Sequence, residues 1–284
     1  MYSTLSPGAI GVQANTLEDG VTAAKLGGFT GIEVSIGQVA DQIDANGVDA
    51  VKAVYSAGVI PAVFGLPVEW RGDEAPWRAG IDALHRLAKA AQSLGITRTA
   101  TWFLPFSDER PYDDNRRFYI ERFKPISQIL SEHGISLGLE FVGPKTLRNG
   151  HKYEFIYQME ATLELGAEIG PNMGLLLDCY HWYTSHSTVD ALKTLTPQQV
   201  VYVHVNDAPS GVAIDDQLDG VRCLPGETGV IDIAGFLGTL KAIGYDGPVA
   251  PEPFKKELWD LPSDKDRLEL VGKSMAKIFS LAGI

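Results

Sequence analysis

SLGLEF at 136–141, MGLLLDCYH at 173–181, VVYVHVND at 200–207 and GPVAPEPF at 247–254 are four short apolar runs built on one plan. Each is of strand length and contains Val or Leu, and each meets a polar group near its C-terminal end: Glu140, Asp178, His204 and Glu252. Side chains alternate between the two faces of a strand. Gly138 therefore shares a face with Glu140, Leu176 with Asp178, Tyr202 with His204 and Ala250 with Glu252. The opposite face carries Leu139, Phe141, Leu175, Leu177, Val201, Val203, Val205 and Val249. One face is oily and the other carries chemistry.

Outward from these runs the same unit recurs: a short apolar run, a loop, an amphipathic stretch, then glycine. AIGVQA (9–14) reads as the first strand. Thr16 caps the helix that follows, with Asp19 three residues on, and that helix stops at Gly27 and Gly28. GIEVSI (31–36), VIPAVFG (59–65) and RTATWFLP (98–105) read as the second to fourth strands. Between the last two, Ile81, Leu84, Ala88, Ala91 and Leu94 recur at helical spacing. The same periodicity appears in Phe155, Met159 and Leu163, in Ile233, Phe236, Leu237 and Leu240, and in Leu268, Val271, Met275 and Ile278. Pro125 fits poorly inside the fourth helix and predicts a kink or the true helix start there.

Parallel strands need helical crossovers, and about 250 residues close a ring of eight such units. The alternation therefore predicts an α/β fold, a (β/α)8 TIM barrel, in one domain over residues 1–284. A doubly wound open sheet is the second choice, weakened because no GxGxxG follows the first strand. In a barrel the active site lies at the C-terminal ends of the strands. All four polar residues sit at such ends, on strands five to eight.

The chain has 284 residues, 45% of them hydrophobic, and a net charge of −12. That charge disfavours nucleic acid and favours a small-molecule partner. No apolar run approaches the roughly 20 residues of a membrane helix, and the N-terminus lacks a signal-peptide pattern, so no membrane is expected and the localisation is read as cytoplasmic. A homo-oligomer is compatible with the sequence. Cys179 and Cys223 have neither CxxC spacing nor disulfide density and read as reduced thiols.

A lone buried glutamate on a strand is as often a structural ion pair as a functional group. Four polar residues at equivalent places are harder to explain so. Three carboxylates brought together lose water and repel one another, and a cation removes that cost. Three oxygens with one imidazole suit one divalent metal ion, Mn²⁺ first, with Mg²⁺, Co²⁺ and Zn²⁺ also compatible.

GLEFVGPKTLR, GLLLDCYHW, VYVHVND, LPGETGVID and PVAPEPF together resemble the xylose-isomerase-like sugar isomerase/epimerase superfamily, and most of all its inosose (2-keto-myo-inositol) isomerases. Ketose 3-epimerases and hydroxypyruvate isomerases are cousins. The resemblance spans nearly the whole chain, with its specific motifs between Leu137 and Phe254. It implies a xylose isomerase-like barrel, a sugar or cyclitol substrate, and a metal held by Glu140, Asp178, His204 and Glu252. It also implies that His181 and Arg222 contact substrate.

The chemistry can be argued from the groups themselves. A metal at the barrel mouth polarises a carbonyl and stabilises the enediolate left when the neighbouring C–H loses its proton. Glu140 and Glu252 then serve as the proton-transfer pair, which typically contributes about 100- to 10,000-fold in rate. The expected activity is isomerisation or epimerisation of a keto-polyol. The alternative is a dehydratase or lyase, in which the same enediolate expels a β-substituent. A metal-dependent apurinic endonuclease ranks third, since the acidic composition opposes DNA.

Other residues are weighed against plainer roles. Glu33 has inward parity and is a candidate substrate contact, with a buried polar network the stronger reading. Trp102 and Phe106 are candidates for an apolar wall against a sugar ring, with core packing equally favoured. Lys145 and Arg148 read chiefly as solvated loop charges. Asp207 is a candidate to orient ligands, His151 and His186 read as surface residues, and Glu227 is unassigned.

Overall fold

The computed structural model describes residues 1–284. Eight parallel strands close a barrel in chain order: β1 Tyr2–Leu5, β2 Gly31–Glu33, β3 Ile60–Gly65, β4 Arg98–Trp102, β5 Ser136–Glu140, β6 Met173–Asp178, β7 Val200–Val205 and β8 Pro248–Pro251. Strand β8 returns to β1, pairing Tyr2 with Pro248 and Ser3 with Val249. The main outer helices are α1 Leu17–Leu26, α2 Ile36–Asn46, α3 Val48–Tyr55, α4 Glu74–Ser93, α5 Tyr112–Glu132, α6 Met159–Ile169, α7 Cys179–Thr184, α8 Ile233–Ala242 and α9 Asp264–Leu281. No helix is long and apolar enough to cross a membrane.

On β5 to β8 the alternation read from the sequence largely decides which core a side chain joins, with Val200, of inward parity but in the large core, and Val201, buried but in neither core, as exceptions. Leu139, Phe141, Leu175, Leu177, Val203, Val205 and Val249 belong to the large core between strands and helices. Ala62, Val63, Ala100, Leu176, Tyr202 and Ala250 form a separate small core. The members from β6 to β8 have the parity assigned to the chemistry-bearing face, which places this cluster inside the barrel. Mostly small groups fill this interior, so the layer above it can be polar. Gly138 also faces inward, where a Cβ would meet the Leu176 backbone nitrogen at 2.8 Å. Only glycine allows β5 and β6 to approach this closely there.

Capping follows the sequence closely at α1. The Thr16 hydroxyl accepts from the Asp19 N–H at 3.1 Å, and the Thr16 N–H donates to the Asp19 carboxylate at 3.0 Å. The helix ends at Leu26, and Gly28 takes φ 72° just beyond it.

Two expectations are corrected. The first strand is Tyr2–Leu5, not 9–14; residues 8–10 form a single 3₁₀ turn, and Gly11 at φ 71° leaves extended geometry. Thr4 and Leu5 pair with Gly31 and Ile32, so the earlier run closes the barrel. Pro125 neither starts nor ends a helix: α5 begins after Pro111 and runs through it. Proline costs one backbone hydrogen bond in a helix interior. Here the buried face of Tyr119, Phe123, Ile126, Ile129 and Leu130 holds the 21-residue helix together.

Candidate metal centre

Register aligns the polar residues across neighbouring strands. Asp178 pairs with His204, His204 with Ala250, and Trp102 with Glu140. Glu252 follows β8 directly, its N–H donating to the Val205 carbonyl at 3.0 Å. As a result Glu140, Asp178, His204 and Glu252 each offer a donor atom, and those atoms lie within 4.8 Å of one another. His204 Nδ1 stands 3.6 Å from Glu140 Oε1 and 3.4 Å from Glu252 Oε2.

The residues present fit a divalent cation. Glu140 Oε1 and both ring nitrogens of His204 are buried without a hydrogen-bond partner. Orphaned buried polar atoms are rare because each costs about 1–3 kcal/mol. Without an ion, burial pushes the Glu140 carboxyl up to about 8, with the charges of Glu252 and Asp178 adding to the effect. Burial alone would lower the His204 pKa, but Glu252 and Glu140 outweigh it and hold the ring well above its ordinary range. The cluster therefore holds on to protons in the place of a cation.

Asp178 is anchored differently. Its carboxylate accepts from the Tyr180 N–H at 2.5 Å, capping α7, and from Asn206 Nδ2 at 3.2 and 3.1 Å. Burial favours its neutral form, but Arg222, with help from His181 and His204, holds the carboxyl down at about 2. Arg222 is itself fully engaged. Its Nη1 donates to Asp178 Oδ2 at 2.9 Å and Glu252 Oε2 at 3.0 Å, its Nη2 to Asp219 Oδ1 at 2.8 Å, and its Nε to the Asp219 carbonyl at 2.9 Å. Its ring neighbours are Tyr180 and Phe254, 4.7 and 4.5 Å from the guanidinium carbon.

His181 sits on α7, one turn past Asp178, and the Gly143 N–H donates to its Nδ1 at 3.2 Å. Burial lowers its pKa. Its Nε2 lies 3.3 Å from Arg222 Nη2, a group that can only donate, and 3.9 Å from Glu140 Oε1.

A cavity of ≈ 510 Å³ opens over the cluster. Glu140, His204 and Glu252 line it together with Glu33, Arg71, Trp102, Tyr202 and Phe254. Asp178, His181 and Arg222 lie behind that wall. Trp102 is 46% exposed and Phe254 38%, so both present apolar surface to the opening. Glu33 accepts from the Tyr202 hydroxyl at 3.5 Å, and burial raises its pKa.

Several other candidates lie elsewhere. Phe106 stacks on His151 with ring centroids 3.4 Å apart, and His151 Nδ1 meets Asp108 at 2.9 Å. Lys145 and His186 both bind Asp215 at 2.7 Å. Arg148 is packed on Tyr157, 3.5 Å from the ring centroid, and donates to the Gly143 carbonyl. Glu227 accepts from the Leu224 N–H and pairs with Lys255, both at 2.8 Å. Asp207 accepts from the backbone N–H groups of Thr228, Gly229 and Ile231 and holds that loop rather than a ligand.

Sequence reasoning passed over Asn206, although it shares the parity of His204 and lies two residues on. Asp219 and Arg71 gave no such signal, because they come from irregular loops.

Comparison with known proteins agrees with the barrel fold. Residues 21–278 match the family described as Xylose isomerase-like TIM barrel. An inosose isomerase of Halalkalibacterium halodurans is 26% identical over 267 residues, 89% of this chain and 90% of that protein. Among the inosose isomerases matched, the chain spans between 62% and 90% of their length. A 3-dehydroshikimate dehydratase of Pseudomonas putida is 32% identical over 130 residues, 45% of this chain and 20% of that protein. A solved xylose isomerase domain protein of Alicyclobacillus acidocaldarius superposes over the full length of both chains with TM-score 0.85 and 29% identity. With the barrel closed, four potential ligands gathered at its C-terminal mouth and nine-tenths of the sequence matched, the chain belongs to the xylose isomerase-like TIM barrel family.

Proposed function

We propose that this protein is a metal-dependent isomerase or epimerase acting on a keto-polyol, a sugar or cyclitol. The observation that carries this reading is the meeting of Glu140 and Glu252 with Asp178 and His204 at the floor of an open cavity. When bound, a divalent ion such as Mn²⁺ supplies Lewis-acid polarisation of a substrate carbonyl.

Everything else falls to the chain. Asp178 and His204 serve as metal holders, since Asp178 is wholly buried and away from the cavity. Glu140 and Glu252 reach the cavity and pass the proton between substrate carbon and carboxylate, one removing it and the other returning it. Trp102 and Phe254 cover the apolar face of the substrate. Glu33, held by Tyr202, accepts from a substrate hydroxyl. His181, behind the cavity wall, sits between the Gly143 N–H and Arg222 Nη2 and helps to hold that arginine in place. Arg222, with every donor nitrogen engaged, orients Asp178 and Glu252 instead of reaching for substrate.

A second reading has one supporting observation, the similarity to a 3-dehydroshikimate dehydratase. The same proton removal next to a carbonyl can be followed by loss of a β-hydroxyl instead of reprotonation. NMR in D₂O with added Mg²⁺ and a panel of inososes, ketohexoses and 3-keto-glycosides separates the two. Deuterium entering an isomer supports the first reading, loss of water or of an aglycone supports the second, and exchange with no substrate sinks both.

A further inference from the structure

Every other arginine of the chain lies within 3.9 Å of a carboxylate oxygen. Arg71 has none within 4.0 Å. Glu69 accepts from the Arg71 backbone N–H at 2.9 Å, not from its guanidinium. In a chain of net charge −12 an unpaired arginine is unusual on electrostatic grounds alone. Its position is fixed nonetheless. The guanidinium carbon lies 4.3 Å from the Trp70 ring centroid and 4.5 Å from that of Trp102. Nη2 donates to the Trp102 carbonyl at 2.5 Å and to Thr101 Oγ1 at 3.4 Å. That leaves Nε and Nη1 without partners. Arg71 lines the same cavity as Glu140, His204 and Glu252 and is the only arginine or lysine that does so.

An aromatic clamp and a carbonyl anchor remove most of the entropy cost of using a long side chain, so the free donors are pre-organised. Two free N–H donors on a planar fork suit a carboxylate, which takes paired hydrogen bonds. A phosphate dianion would call for further cations or a set of backbone N–H groups, and no other Lys or Arg lines the cavity.

We propose that Arg71 is a specificity-determining residue that receives a carboxylate of the substrate, making the preferred substrate a keto-polyol acid instead of a neutral sugar. This rests on the isomerase or epimerase reading for the identity of the reacting end, but the recognition itself is testable without turnover. Isothermal titration of the Mg²⁺-supplemented protein would compare quinate, a carboxylated cyclic polyol, with myo-inositol and myo-inositol 1-phosphate. Hydrogen bonds to charged groups contribute enough that quinate should bind about tenfold tighter than myo-inositol or better. The preference should vanish in Arg71→Gln, whose circular dichroism should match the wild type because Arg71 lies on an exposed loop, and should survive in part in Arg71→Lys. Equal binding of quinate and myo-inositol, or a preference that Arg71→Gln retains, would overturn the proposal. Tighter binding of the phosphate ester would overturn the carboxylate assignment. Failure of deuterium exchange across all ketones would instead remove the catalytic reading while an Arg71-dependent preference for quinate stood.

Discussion

Arg222 Nη1 lies 2.9 Å from Asp178 Oδ2, with 1% and 0% of the two side chains exposed to solvent. A charge pair buried this deeply is worth little compared with a well-packed apolar pair, yet breaking it from one side is costly because the partner is left charged and dry. Arg222→Met should therefore destabilise the metal-free protein by about 3–5 kcal/mol, read from urea unfolding. Adding Asp178→Asn should recover part of that loss. A single-mutant effect below about 1 kcal/mol would contradict the geometry.

Metal binding should release protons. At neutral pH Glu140, pushed up to about 8 by burial, is largely protonated, and His204 keeps an extra proton between Glu140 and Glu252. Both must deprotonate to act as ligands, so affinity should rise with pH and level off for Glu140 above about 8. The same shifts set the stability of the metal-free protein. Glu140 and His204 each bind protons more tightly folded than unfolded, so their contribution is present at low pH and is lost as pH rises, for Glu140 toward and past about 8. Titration calorimetry in buffers of different ionisation enthalpy reads the proton count. Affinity that is flat between pH 6 and 9, with no buffer dependence, would rule this out.

How much of this was legible beforehand follows from the physics of each element. Strand parity carries over because β geometry has a strict period of two, which is why Leu176, Tyr202 and Ala250 went inward with the ligands. Parity ends with the strand: Asp178, the last residue of β6, also caps α7, and His181 beyond it follows helical geometry. The first strand was misplaced because four residues, YSTL, give too short a pattern, and its pairing with β8 and β2 is non-local. Arg71, Asp219 and the Asp207-held loop depend on contacts between irregular segments, for which no periodic signal exists.

Glu140→Gln and Glu252→Gln should separate binding from proton transfer. Each substitution keeps shape and one oxygen donor, so the fold should persist and some metal should remain by elemental analysis. Exchange of the substrate C–H with solvent deuterium should fall by about 100-fold or more in at least one of them, the lower end of what positioned acid–base groups supply. Wild-type exchange in both variants would move the proton transfer to other residues.

Asn206 gives the sharpest test of how the ligands are held. Its Nδ2 donates to both oxygens of Asp178, at 3.2 and 3.1 Å, and to the Glu252 carbonyl at 3.3 Å, so one amide links two of the four potential ligands. Groups that orient metal ligands typically change affinity by about 10- to 100-fold when removed. Asn206→Ala should lower metal affinity by that amount while leaving one ion bound per chain at saturation. Asn206→Asp should be worse, because it replaces the shared donor with a fourth carboxylate against Asp178. The two variants together distinguish orientation from packing: a structural role alone would lower thermal stability in both but leave the affinity of the surviving folded protein unchanged.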